Sequence, residues 1–326
     1  MSKMQNTPPA GKPTVLIVTP ALAAANNGNW RTAARWQRFL RPMAHVSCAL
    51  DYQGQACDLM IALHARRSAD SIARFAASGR PLILVLTGTD LYRDIDDDAS
   101  AQRSLTLADR IVVLQACGPR RLPVALRERC LVIEQSAPAL ARLPARRRSF
   151  DMALVGHVRA EKDPMTAVRA LSRLARHPGL RLRHVGRVDD PALGPAIRAA
   201  ADHDPRIELL GQMTHGRTRR LIRGSRVLLL PSVMEGGANV LIEAVTSAVP
   251  VLASAIDGSI GLLGADYPGL FPVGDDAALA GLIERCLDEQ GFLARLTDAC
   301  QRRAPLFAPE REAHAVRDMV SGLLRP

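Results

Sequence analysis

Aromatic residues make up only 3% of this chain of 326 residues. Few rings are left on which unpaired bases could stack, which weighs against a reader of single-stranded nucleic acid. Lysine is confined to Lys3, Lys12 and Lys162, so arginine carries almost all of a net charge of +11. That bias describes a composition as readily as it describes a basic binding surface. The six cysteines contain no C-x-x-C pair, and neither a zinc site nor a disulfide framework is indicated. No apolar run reaches the length of a membrane span, and the first twelve residues are polar and proline-containing without the apolar centre of a signal peptide. A soluble, cytoplasmic protein is the expectation. The glycine pattern G-x-G-x-x-G is missing as well, which excludes the usual dinucleotide fingerprint.

What is present is apolar residue in quantity, 48% of the chain, enough for two cores of about 150 residues each. Continuous apolar runs read as buried strands at 14–20, 45–50, 58–63, 82–86, 111–114 and 131–134, with helices near 30–40, 68–77 and 100–107. A second series follows at 150–155, 182–185, 207–210, 227–230, 251–253 and 270–271, and the residues from 276 onward read as helical. Buried strands alternating with helices predict an α/β fold with two doubly wound parallel sheets. The expected division is a disordered tail over 1–13, a first Rossmann-like domain over 14–137, a linker over 138–149 rich in proline and arginine, a second Rossmann-like domain over 150–308 and a final helix over 309–326.

One stretch organises the chain. The run Val227-Leu228-Leu229-Leu230 stops at Pro231, Glu235-Gly236-Gly237 follows, and an apolar-periodic segment begins at Asn239. Strand, loop and helix in that order aim the backbone N–H groups of Gly237, Ala238 and Asn239 past the end of the strand, where a diphosphate fits. Glu235 precedes the helix and Glu243 lies in its second turn, and each carboxylate can accept hydrogen bonds from vicinal hydroxyls.

Other chemistry-bearing residues gather at predicted strand ends. Asn29, Arg31, Thr32 and Arg35 stand where the first helix starts. His64 follows a buried strand and precedes Arg66 and Arg67; Thr87, Thr89 and Arg93 follow the next strand, ahead of the acidic run 94–98; Gln135-Ser136-Ala137 closes the first half. His64 reads as an active-site histidine rather than a core one. The D-x-D spacing in the acidic run fits a divalent metal, but a solvated loop opening a helix is the plainer reading. His45, His177, His184, His203 and His314 read as structural. After the first strand of the second half comes Gly156-His157-Val158-Arg159-Ala160-Glu161-Lys162, in which Lys162 is the only lysine beyond the tail.

Glu235 and Glu243 with Asn239-Val240-Leu241 between them, followed by Pro250-Val251-Leu252-Ala253-Ser254, resemble the E-x7-E signature of the retaining GT-B glycosyltransferases of family 4. The resemblance implies a GT-B fold, two Rossmann-like domains facing across a cleft, whose last helix returns to the first domain. It implies a nucleotide-sugar site from Gly156, Arg159, Lys162, Gln212, Met213, Glu235, Gly236, Gly237, Ala238, Asn239, Val240 and Glu243. Glu235 would orient the sugar, Glu243 would hold the ribose, and backbone groups near Gln212 and Met213 would hold the base. The family usually has an arginine directly after the glycine, where this chain has His157, so the second cation of the diphosphate clamp is assigned to Arg159. The alternative for that segment is a surface ion pair with Glu161.

Arg31-Thr32-Ala33-Ala34-Arg35-Trp36, Leu63-His64-Ala65, Thr87-Gly88-Thr89-Asp90-Leu91-Tyr92-Arg93, Gln135-Ser136-Ala137-Pro138, Gly156-His157-Val158-Arg159 and Asp266-Tyr267-Pro268-Gly269 narrow the resemblance to the selenosugar-forming glycosyltransferases of selenoneine biosynthesis. The implied reaction joins selenium of selenophosphate to C1 of the sugar from UDP-glucose or UDP-N-acetylglucosamine. Catalytic roles fall on His64, Glu235, Arg159 and Lys162, and the anionic acceptor on Asn29, Arg31, Thr32, Arg35, Arg66, Thr87, Thr89 and Arg93. No metal or other cofactor is implied, nor a nucleic-acid or membrane partner. A glycosyltransferase with an oxygen acceptor shares every donor-side residue, and a non-catalytic binder of nucleotide sugar or nucleic acid is the third reading.

Overall fold

The computed structural model describes residues 11–22, 28–144 and 148–324. The first ten residues of the predicted tail, residues 23–27 of the first loop, residues 145–147 of the predicted linker and residues 325–326 of the predicted final helix lie outside them.

Six strands form the first sheet: Thr14–Val18 (β1), His45–Ala49 (β2), Leu59–Leu63 (β3), Leu82–Val85 (β4), Arg110–Val113 (β5) and Cys130–Val132 (β6). All pair in parallel, in the order β2-β1-β3-β4-β5-β6. The interior strands have no polar face because both faces are covered: every residue of β3 and β4 is buried. The edge strand β2 reads His-Val-Ser-Cys-Ala and is only partly covered. The helix Gly28–Leu40 lays Thr32, Ala33, Trp36, Phe39 and Leu40 inward, the spacing of one helical face. In the acidic run 94–98, Asp96 and Asp97 are exposed as a solvated loop predicts, whereas Asp94 is buried at the end of a π-helical turn, Asp90–Asp94. The helix start is nevertheless where the acidic run predicts it, since Asp98 accepts from the N–H groups of Ser100 and Ala101 to cap Ala99–Leu107.

The second sheet comprises Phe150–Val155 (β7), Leu180–Val185 (β8), Ile207–Leu209 (β9), Val227–Leu230 (β10), Val251–Ser254 (β11) and Leu270–Phe271 (β12). Again every pairing is parallel, in the order β12-β11-β10-β7-β8-β9. The strand order reverses between β7 and β10, and open α/β sheets bind ligands beyond the carboxyl ends of strands at such a reversal.

The chain forms two compact units. One takes the residues up to Val113, then Leu122–Ile133 and the chain from Ala313; the other takes Leu114–Arg121 and Glu134–Glu312. Each has its own apolar core, one around Met60, Phe75, Leu84 and Leu105, the other around Met152, Leu228, Leu252, Phe292 and Phe307. The last helix, Pro309–Leu324, carries residues of both units.

The segment 138–143 differs from a loose connector. Arg219 donates to the Pro138 carbonyl at 3.1 Å, Arg223 to that of Ala141 at 2.7 Å, and Arg142 to that of Arg226 at 3.0 Å. The N–H groups of Leu140 and Leu143 bond to Thr246 and Arg223 carbonyls. This stretch is fastened to the second unit because its backbone groups, lacking partners of their own, are satisfied by arginines of the adjacent helix His215–Gly224.

Candidate functional site

In the second unit the loops after β7 and β10 leave the sheet side by side, since Val227, Leu228 and Leu229 pair with Met152, Ala153 and Leu154. They are tied twice. The Val233 N–H donates to the Glu161 carbonyl at 2.9 Å, and Lys162 Nζ meets Glu235 Oε1 at 2.5 Å. Ser232 Oγ donates to the same carboxylate oxygen at 2.7 Å. Glu235 is 8% exposed at its side chain and Lys162 34%. A nearly buried carboxylate is thus held by two donors, while the ammonium keeps one side toward solvent.

The backbone around this pair is set by glycines. A Cβ on Gly258 would lie 2.2 Å from the Glu235 carbonyl oxygen, and one on Gly237 would lie 2.8 Å from both Gln135 Oε1 and Leu114 Cβ. The loop after β7 is pinned from β8: a Cβ on Gly186 would lie 1.9 Å from the Gly156 carbonyl oxygen. That oxygen also meets His184 Nε2 at 2.9 Å.

His157, directly after Gly156, accepts the Arg187 N–H on Nδ1 at 3.0 Å. Its ring proton is therefore on Nε2. Burial pushes the His157 imidazole below its usual range, with Arg187 and Arg159 acting in the same direction. The ring joins the loop after β7 to the loop after β8. Arg159, two residues on, is exposed with an extended backbone.

Glu243 sits in the short helix Asn239–Val245, buried at 4% exposure. His215 Nε2 meets its Oε1 at 2.7 Å. Gln212 is exposed and Met213 half-buried in the loop that leads to His215, while Gly236 and Ala238 are buried and Gly237, Asn239 and Val240 half-buried.

In the first unit, β1 and β3 are the neighbours at the reversal of strand order. His64 follows β3 in the left-handed conformation, with φ 76°, and is 2% exposed. A non-glycine residue held there implies that its surroundings over-determine it. Nε2 meets Thr89 Oγ1 at 3.1 Å and Nδ1 receives the Arg67 N–H at 3.4 Å. Asp90 and Asp94 carboxylates stand 3.9 Å from the two ring nitrogens. Burial outweighs the carboxylates and holds the imidazole below its usual range, so the ring is neutral near pH 7.

Asp90 accepts the N–H groups of Ala65, Thr87 and Gly88. Asp94 takes Arg66 Nε at 2.9 Å and Arg93 Nε at 3.2 Å. Both arginines are about half exposed, at 41% and 47%, so each shares its charge between a buried carboxylate and solvent. Arg31 and Arg35 are half-buried on the helix Gly28–Leu40, whose second residue is Asn29, and the buried Thr32 returns its hydroxyl to the Gly28 carbonyl at 3.0 Å. Among the described residues, no group of three or more His, Cys, Asp or Glu could hold a metal ion. None of the described helices is long and apolar enough to cross a membrane.

Residues 149–289 match the family described as glycosyl transferases group 1. That stretch holds every predicted nucleotide-sugar residue. Solved structures show the same architecture: Anabaena HepE in complex with UDP and glucose, 14% identical, with a TM-score of 0.78 over 95% of this chain and 100% of that one; and a sucrose-phosphate synthase of Thermosynechococcus elongatus, 17% identical, with a TM-score of 0.79 over 96% and 99%. A glycosyltransferase of Rickettsia africae, 12% identical, aligns with a TM-score of 0.73 over 97% and 100%. The two parallel sheets with their helices are the GT-B-like α/β fold. No curated protein sequence is significantly similar to this one.

Sequence reasoning missed His215 and Gly186. Nothing in the sequence joins His215 to a glutamate 28 residues away. Gly186 carried a signal, a glycine directly after a strand as Gly156 is after β7.

Proposed function

We propose that this chain is a glycosyltransferase that uses UDP-glucose or UDP-N-acetylglucosamine as donor and selenophosphate as acceptor. The observation that carries the donor assignment is the Lys162–Glu235 pair at the strand-order reversal of the second sheet, within the stretch that matches the glycosyl transferase family. The relative crystallised with UDP and glucose supports the same donor class.

In this reading Lys162 and Arg159 neutralise the diphosphate of the leaving group without need of a metal ion, Glu235 orients the sugar hydroxyls, and Glu243 accepts from the ribose diol. The selenium lone pair forms the bond to C1, the C1–O bond to the diphosphate breaks, and UDP departs with that electron pair. Water then cleaves the P–Se bond, leaving a selenosugar and inorganic phosphate. Deprotonated selenium is already nucleophilic, so the acceptor side calls for charge placement more than for a general base. His64 contributes a neutral ring, Thr87 and Thr89 hydroxyls, and Arg31, Arg35, Arg66 and Arg93 positive charge toward a small anion.

Incubation with each UDP-sugar and selenophosphate, with phosphate alone as the control, tests this by mass spectrometry. A product carrying the selenium isotope pattern on a hexose, formed with stoichiometric UDP, is expected. UDP release only with a hydroxyl-bearing acceptor would replace selenophosphate by an oxygen acceptor. Nucleotide binding without turnover on any acceptor would make the chain a binding protein.

A further inference from the structure

We propose that His215 is a positioning residue of the donor site, setting the carboxylate of Glu243 and coupling it to the loop before the helix His215–Gly224. The inference rests on the assignment of Glu243 to the ribose. Glu243 lies among Leu241, Ile242, Ala244 and Val245, all buried, where a carboxylate needs a hydrogen-bond donor to hold it in one rotamer. His215 Nε2 supplies one at 2.7 Å, from a ring whose side chain is 53% exposed against 6% for Glu243.

The placement of His215 gives the contact a second consequence. It is the first residue of its helix and follows Gly211, Gln212, Met213 and Thr214, the loop to which backbone contacts with the base are assigned. Through one hydrogen bond the loop that would carry the base and the carboxylate that would carry the ribose become a single unit. A nucleoside that uses both then meets them in fixed relation, so less ordering remains to be done on binding. Pyrophosphate, which has neither base nor ribose, gains nothing from the coupling.

Binding of UDP and of inorganic pyrophosphate to the full chain and to His215→Ala, His215→Gln and Glu243→Gln tests the proposal by calorimetry. Loss of a hydrogen bond to a charged partner should weaken UDP about ten- to a hundredfold in His215→Ala. Pyrophosphate binding should stay as in the parent. His215→Gln, whose amide N–H can reach the same oxygen, should recover most of the loss. In turnover, the KM for the UDP-sugar should rise with kcat nearly unchanged. UDP binding unchanged in His215→Ala, with Glu243→Gln weakened, would overturn this inference and leave the donor site standing. UDP binding unchanged in Glu243→Gln would overturn both. Equal loss of UDP and pyrophosphate in His215→Ala would show a general distortion and overturn the positioning role.

Discussion

Lys162 and Glu235 are 73 residues apart in sequence and 2.5 Å apart in the folded chain. The pair joins the only lysine beyond the tail to a carboxylate that also takes the Ser232 hydroxyl. An anionic ligand would have to compete with that carboxylate for the ammonium.

Removing the lysine should do two separable things. Lys162→Met should lower kcat/KM for the donor by about a hundredfold or more, as loss of one preorganised cation at a leaving group does. It should also destabilise the fold by about 1–3 kcal/mol, because Glu235 is left with one donor. The double variant Lys162→Met with Glu235→Gln should regain much of the stability and none of the activity. Denaturant unfolding beside a UDP-release assay checks both halves.

Gly186→Ala should be among the most disruptive single-methyl changes available. The new carbon would meet backbone, the Gly156 carbonyl oxygen at 1.9 Å, and backbone cannot rotate aside as a side chain can. A loss of about 3 kcal/mol or more is expected. Gly281→Ala, with open space around its Cβ position, is the control and should change the unfolding midpoint little or favourably.

His64→Asn should separate conformation from chemistry. Asparagine tolerates the left-handed region in which His64 sits, at φ 76°. Stability should therefore stay within about 1 kcal/mol of the parent, while kcat/KM falls by about tenfold or more. His64→Val, whose β-branched side chain opposes that backbone, should lose stability as well. Thermal melts and initial rates on both variants distinguish the two effects.

Stability should fall as pH drops below the ordinary histidine value of 6.5. His64, His157 and His184 are all held below it, burial being the largest cause in each. Below 6.5 the unfolded chain takes up protons that the folded chain refuses, so protonation favours unfolding; well above it the two states bind the same number and the effect vanishes. Each histidine contributes a slope of up to about 1.4 kcal/mol per pH unit within the window between its unfolded and folded values. Unfolding midpoints taken on either side of 6.5 check this, and His184→Gln should flatten the dependence.

Much of the fold was legible because its signals are local. Phe150–Val155 and Val227–Leu230 were bounded correctly by apolar runs stopping at Gly156 and Pro231, as was Leu270–Phe271, and in each other strand an end moved by one or two residues. The acidic run 94–98 misled only at Asp94, because charge in sequence suggests solvent, whereas Asp94, like the nearby Asp90 with its three backbone N–H groups, is buried with partners, two arginines in its case. Burial of a carboxylate depends on such partners, and those come from residues 25 and 28 positions away or from a turn that a periodic pattern does not register.

By itself the sequence determined where strands stop and helices begin, and that Lys162 and Glu235 stand at such junctions with Glu243 in the second turn of the helix that follows, because strand and helix formation follow from apolar periodicity and from glycine and proline over a few neighbouring residues. Only the tertiary structure decided that Lys162 closes on Glu235, that His157 anchors a loop through Nδ1, and that His215 reaches Glu243. Those contacts depend on strand order in the sheet, and strand order is set by packing between segments that share no local pattern.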